Sequence, residues 1–281
     1  QYLSSDNDEY DIVAEYSKLL LRKYSHRHED DGVGFTHVLT SQDGTLYIDG
    51  QKKDATKSLS AFGDDTYYYK LSDSSYYLGG DLTLDHTLVS GENTTLCLNG
   101  HSITATADGP TIKVPSSRYY KGFSLYDCEP DGNHGTITHA DGVTGYGIQS
   151  AEPFNLYGGR FGNCSPYQIG LEEGATINLS KPLTTDEILV GPTTALADGE
   201  YTALVKGVNS YTLTKADLAR FKSSYGFTTQ LMNNTILFVS GDAMHIHSVC
   251  ADADCTDTTH KDEIWQPIST EAELRGINKE G

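Results

Sequence analysis

The chain has 281 residues, with 39 acidic side chains against 20 basic ones and a formal net charge of -19 at pH 7. A field of that sign and size repels phosphate backbones and anionic lipid, which sets aside nucleic acid and membrane surfaces as partners. It also argues against a lyase for acidic polysaccharide unless Ca²⁺ or a basic patch offsets it, while 28 Gly, 19 Tyr and only 37% apolar residues suit an all-β secreted protein better than a helical enzyme.

In chain order, residues 8–25 read as an amphipathic helix with Ile12, Val13, Tyr16, Leu19, Leu20 and Tyr24 on one face. Its expected role is to cover an open end of the fold, where bare strand edges would otherwise be exposed. A polar break over residues 27–34 precedes a hairpin from Val38 to Ile48, turning at Gln42-Asp43-Gly44. Residues 1–60 are therefore expected to form an N-terminal helix and hairpin cap, and the Tyr-rich residues 60–80 lead into the next unit.

From there a degenerate repeat takes over. Leu96/Leu98 with Ile103, Phe123/Leu125 with Ile137, Phe154/Leu156 with Phe161, and Ile177/Leu179 with Leu183 share one pattern: two apolar residues two apart, a turn, then another apolar residue. The steps from Leu98 to Leu125, Leu156 and Leu179 are 27, 31 and 23 residues, within the period of stacked repeats. A second column, Leu82/Leu84, Ile112/Val114, Tyr146/Ile148 and Ile169/Leu171, precedes the first. Alternation at period 2 means short strands with one face inward, and three per turn give a right-handed parallel β-helix over residues 61–184. Corners fall at Asn99-Gly100, Gly158-Gly159 and Gly162-Asn163, whose residue types tolerate the bend. An antiparallel sandwich with strands of similar length is the alternative.

After Leu183 the corner pattern fades. Strands are expected at Glu187 to Val190, Tyr201 to Val205, Tyr211 to Leu213 and Thr235 to Val239, with a short helix from Lys215 to Phe221 capped by Thr214. Residues 185–242 thus read as a β-rich C-terminal cap. Residues 243–264 form a His/Cys-rich linker, and residues 265–281 open a new pattern. With Gln1 rather than Met at the start and no signal peptide, the chain reads as a piece of something longer. No run of 18 apolar residues predicts a membrane-spanning helix.

The runs Tyr76-Tyr77-Leu-Gly-Gly-Asp-Leu-Thr-Leu84, Thr95-Leu-Cys-Leu-Asn-Gly-His-Ser-Ile-Thr104 and Phe154-Asn-Leu-Tyr-Gly-Gly-Arg-Phe161 resemble the β-helix modules of large secreted or wall-attached proteins of anaerobic gut bacteria. In those chains a His/Cys-rich linker followed by Trp separates modules, as His245 to His260 and Trp265 would here. The resemblance covers residues 76–277 well and residues 1–60 hardly at all. It implies architecture and a secreted or cell-surface location more than an activity.

The sharpest chemical pattern is His247, Cys250, Cys255 and His260. Two thiolates and two imidazoles at these spacings can close a tetrahedron around a structural zinc. The alternative is a Cys250 to Cys255 disulfide with idle histidines. Cys97, Cys128 and Cys164 lie in successive coils and read as small buried residues, although a stacked pair could oxidise outside the cell. Asp85, His86, His101, His134, His139 and Asp141 could support catalysis, but corner residues are more often solvated, and no catalytic set is assigned.

The run Ser116 to Lys121 interrupts a strand pair like an insertion loop, and Arg118, Tyr119, Tyr120 and Lys121 form the candidate binding surface. The expected function is a non-catalytic module, monomeric as an isolated fragment, that recognises a host or environmental glycan or a glycoprotein such as an immunoglobulin. A carbohydrate-active enzyme on the same fold, or a pure spacer, are the competing readings. Two or more carboxylates in a groove would favour the enzyme, and a Tyr-rich face would favour binding.

Overall fold

The computed structural model describes residues 26–27, 32–57, 67–128, 132–183, 185–197, 200–223 and 227–240. Among them the chain is nearly all β. Strands form an eleven-stranded, an eight-stranded and a four-stranded sheet, together with a two-stranded ribbon. The chain visits the three larger sheets in rotation. Leu82–Leu84 lies in the four-stranded sheet, Thr87–Val89 in the eight-stranded and Asn93–Cys97 in the eleven-stranded. Ile103–Ala105, Ile112–Val114 and Gly122–Tyr126 then repeat the circuit, each parallel to its counterpart one turn earlier.

Side-chain alternation is what makes the turns stack. In the eight-stranded sheet Leu88, Ile112, Ile148, Ile169 and Val190 pair in succession, all buried. In the four-stranded sheet Leu82, Ile103, Ile137 and Phe161 pair likewise, the first three buried and Phe161 partly so. In the eleven-stranded sheet Leu96 pairs with Leu125 and Leu125 with Leu156. One row of side chains thus fills the interior at each wall, as expected where strands of a parallel sheet meet a dry core. Between these rows the outward residues hydrogen-bond along the stack: Asn155 Nδ2 donates to Ser124 Oγ at 3.1 Å, and Asn178 Nδ2 to Asn155 Oδ1 at 3.5 Å.

Several expectations shift in detail. The anticipated parallel row holds from Phe123/Leu125 through Phe154/Leu156 to Ile177. Its first member, however, is Thr94/Leu96 rather than Leu96/Leu98, because Thr94 pairs with Phe123 and Leu96 with Leu125. Buried Thr94 occupies the apolar slot by donating its hydroxyl to Ser72 O and accepting from Gly91 N. Leu82/Leu84 belongs with Ile103, not with Ile112, whose true predecessor is Leu88. Apolar spacing alone cannot say which wall a short strand joins.

The winding also continues past Leu183. Ile188–Pro192 and Tyr201–Gly207 stack in parallel on Ile169–Leu171 and Ile177–Leu179. Then the hairpin Phe227–Met232/Thr235–Ser240 adds to the sheet end antiparallel. At the opposite end the predicted hairpin is present as His37–Gln42 with Thr45–Ile48, turning through Asp43 (φ 50°) and Gly44 (φ 79°), the left-handed pair that a two-residue hairpin turn demands. Its first strand pairs in parallel with Ser75–Leu78.

The helix at Lys215–Arg220 starts as read, with Thr214 as N-cap and a reciprocal bond between Thr214 and buried Asp217. Tyr211 to Leu213 is not a strand; the Tyr211 hydroxyl donates to Asp217 Oδ2 at 2.8 Å, so this segment braces the cap instead. Burial, then that bond, pushes the phenol up to about 12. The expected helix at residues 8–25 and everything after residue 240 lie outside the described residues.

The outer face of the eight-stranded sheet has its own rule. Glycine follows the stacked apolar residue at Gly170 and Gly191, and a Cβ there would meet the rings of Tyr146 and Tyr167 at 2.6 and 2.4 Å. Tyr146 and Tyr167 each stand two residues before the stacked Ile148 and Ile169, so each turn's tyrosine lies over the next turn's glycine. One turn earlier Pro110 replaces the tyrosine two residues before Ile112, and the residue it would cover is Gln149, not glycine.

Candidate metal centre and binding loop

Two adjacent turns bring two thiols together. Cys97 ends the strand Asn93–Cys97 and pairs with Tyr126, and Cys128 stands two residues beyond that partner. Their sulfurs are 3.6 Å apart. A ribbon of His26–Arg27 against Gly34–Phe35 closes over them, with Phe35 wholly buried against Cys97 and Tyr126. This places His26 Nε2 at 3.8 Å from Cys97 Sγ and 3.3 Å from Cys128 Sγ. The imidazole lies between rings, stacked on Tyr77 at 5.0 Å and tilted against Phe35 at 5.4 Å.

In its protonated form the pair is a thiol chain. Cys97 donates to Cys128, and Cys128 donates to Asn99 Oδ1 at 3.2 Å. Asn99 is itself fixed, because its Nδ2 donates to Leu78 O of the preceding turn at 3.0 Å and its left-handed φ of 53° forms the Asn99-Gly100 corner. The bond to Cys128, followed by burial, pushes the Cys97 thiol up. The three donor atoms lie within 4.8 Å of one another, and this cluster could hold a metal ion.

Nothing local in the sequence announces this cluster. Cys97 and Cys128 lie on successive turns, as their repeat spacing implied, two residues out of register, but His26 stands 71 residues before Cys97 in a polar stretch. Cys164 takes no part; its sulfur faces Ile137 O at 3.8 Å, and burial pushes the thiol up to about 12. The anticipated ligands His247, Cys250, Cys255 and His260 lie outside the described residues.

The binding candidates do sit on one loop, between Ile112–Val114 and Gly122–Tyr126. The acidic residues of two turns clamp it. Ser117 Oγ donates to Glu92 Oε1 at 3.0 Å, Ser117 N and Ser116 Oγ donate to Glu152 Oε1 at 3.2 Å, and Lys121 N donates to Glu92 O at 2.7 Å. Within the loop the two tyrosines diverge. Tyr120 turns inward, half-buried, with its hydroxyl donating to Pro153 O at 2.6 Å and accepting from Phe123 N at 2.8 Å. Burial pushes its phenol up to about 12. Tyr119 points out at 57% exposure, with the Arg118 guanidinium 4.6 Å over its ring, and Lys121 is exposed beside them.

Of the residues weighed for catalysis, the neighbours Asp85 and His86 face each other, with Oδ1 and Nδ1 3.9 Å apart. Asp85 Oδ1 accepts from Tyr69 OH at 3.0 Å, and His86 lies between Tyr67 and Tyr69. His101 faces Asp81 at 3.6 Å. His139 is buried with Nε2 2.8 Å from Gly109 O. A different acidic feature appears where the winding ends: a cleft of about 600 Å³ lined by Glu172, Glu173, Glu200 and Tyr201 among others. Two of its carboxylates already serve as struts. Glu172 Oε1 accepts from Lys113 at 3.2 Å and Gln149 at 2.9 Å, and Glu200 Oε2 accepts from Ala197 N at 3.0 Å.

No family model, curated protein or solved structure matches this chain. Among the described residues no helix is long and apolar enough to cross a membrane.

Proposed function

We propose that the chain is a right-handed parallel β-helix module of a secreted or surface-attached bacterial protein, and that its 115–121 loop docks a glycan or glycoprotein. The hand follows from strand twist, which makes nearly all connections between parallel strands of one sheet right-handed. The observation that carries the function is the presentation of Tyr119. An exposed aromatic stacked under Arg118 stands on a loop whose backbone is held by Glu92 and Glu152. A large ring with few rotors, fixed before binding, loses little entropy when a partner covers it, which is how tyrosine and arginine come to dominate interfaces. Tyr120 serves that surface from beneath by tying the loop to Pro153.

The acidic cleft favours a second reading, carbohydrate hydrolysis, in which Glu173 would act with a partner carboxylate across the groove. One experiment separates the two. The protein is applied to a glycan array and to immobilised serum glycoproteins, and the same preparation is incubated with polysaccharides. Binding is expected without turnover, and Tyr119→Ala is expected to weaken it by about 1 to 3 kcal/mol with only modest salt dependence. Unchanged affinity in Tyr119→Ala would place the site elsewhere. Glycan cleavage abolished by Glu173→Gln would establish the enzyme instead.

A further inference from the structure

We propose that His26, Cys97 and Cys128 form a zinc site that fastens the N-terminal ribbon to two consecutive turns of the fold. The argument is first one of distances. A disulfide needs its sulfurs about 2.05 Å apart, far inside the 3.6 Å between Cys97 and Cys128. A tetrahedral zinc with Zn–S near 2.3 Å and Zn–N near 2.05 Å requires S–S edges of about 3.8 Å and S–N edges of about 3.6 Å. The S–S edge is 3.6 Å, and the two S–N edges, 3.3 and 3.8 Å, bracket the requirement. All three edges of one tetrahedral face are thus present to within about 0.3 Å.

The surroundings suit the same ion. Two sulfurs and an imidazole form a soft donor set that selects zinc over magnesium or calcium. Phe35, Tyr77, Tyr126 and Tyr157 enclose it in an aromatic shell. The ring of His26 is oriented by stacking on Tyr77 rather than left to rotate. Binding would release the two thiol protons of Cys97 and Cys128 to bulk solvent, and a water would take the fourth corner. The gain is topological: one ion joins residues 71 and 102 positions apart in sequence, so a short ribbon with little core of its own is held against the solenoid wall. This site is independent of the binding loop and stands whether or not Tyr119 meets a partner.

The test uses the full chain carrying Cys250→Ser and Cys255→Ser, which silences the thiols of the tail. Titrating the reduced protein with Co²⁺ is expected to give, at one equivalent, sulfur-to-cobalt charge-transfer absorption and the visible bands of a tetrahedral ion, both bleached by one equivalent of Zn²⁺. His26→Gln and Cys128→Ser are each expected to lower the affinity at least about tenfold and to abolish the zinc-dependent rise in thermal midpoint. Should Cys128→Ser fail to fold, half-buried His26→Gln carries the comparison, with circular dichroism confirming its structure. The proposal is overturned if the folded, reduced protein shows no thiolate–cobalt band, if the band survives His26→Gln unchanged, or if protein isolated without reductant carries a Cys97 to Cys128 disulfide.

Discussion

Leu125→Asp is expected to abolish the cooperative thermal transition of this protein. Leu125 is fully buried and stacked in register between Leu96 and Leu156, so the substitution removes a rung from the interior column and puts a carboxylate where no cation faces it. A buried, unpaired charge together with lost apolar contact costs more than about 4 kcal/mol, comparable with the whole stability of a typical domain. The neighbouring change Ser124→Asp is the control. Ser124 points to the outer face, half-buried beside Asn155, and its substitution is expected to leave a cooperative transition in place. Thermal unfolding followed by circular dichroism reads both. Equal damage from the two would mean that residues 124 and 125 do not lie on opposite faces.

The second large effect is expected at Gly145. A Cβ on this residue would lie 1.8 Å from Gly109 O and 2.4 Å from Gly109 C, backbone atoms of the preceding turn that cannot rotate away. Gly109 is pinned on both sides, its N–H donating to Thr144 O and its carbonyl 2.8 Å from Nε2 of buried His139. Gly145→Ala therefore forces the two turns apart, and it is expected to lower stability by about 3 kcal/mol or more. Gly142→Ala, at a φ of 79° with open space around it, pays only for the left-handed backbone, about 1 kcal/mol. Urea midpoints of the two variants should differ in that order; a harmless Gly145→Ala would contradict the close approach of these turns.

Much of the architecture was legible because the stack repeats its own chemistry. The alternation Phe-x-Leu at residues 123–125 and 154–156 marks inward strands, and Asn99-Gly100 marks a corner that only residues tolerant of positive φ can make. What period 2 cannot fix is the assignment of a three-residue strand to one wall rather than another, which is why Leu82 was misplaced, or a slip of two residues along one wall, which is why Leu96/Leu98 stood in for Thr94/Leu96. Thr94 was missed as an inward residue because its hydroxyl is satisfied by Gly91 and Ser72, so a polar letter stands at a core position. The continuation through Ile188–Pro192 was obscured by the loss of the Gly and Asn corners, although its apolar face persists.

The candidate sites divide in the same way. An insertion between Val114 and Gly122 could be read locally, so the loop was found, but which of two adjacent tyrosines faces solvent depends on Pro153, a full turn away. The donor set of His26, Cys97 and Cys128 is non-local in all its members. Its only trace in the sequence is that two cysteines recur near the repeat period.

The central claim, that successive turns stack in parallel and in register, is tested most directly by cross-linking outward positions. Thr95 and Ser124 are register partners, and neighbouring strands lie about 4.8 Å apart, within the span of a disulfide. Thr95→Cys with Ser124→Cys should oxidise to an intramolecular bond identifiable by peptide mapping, while Thr95→Cys with Asn155→Cys, two turns apart, should not. A bond in the second pair, or its absence in the first, would contradict the stack.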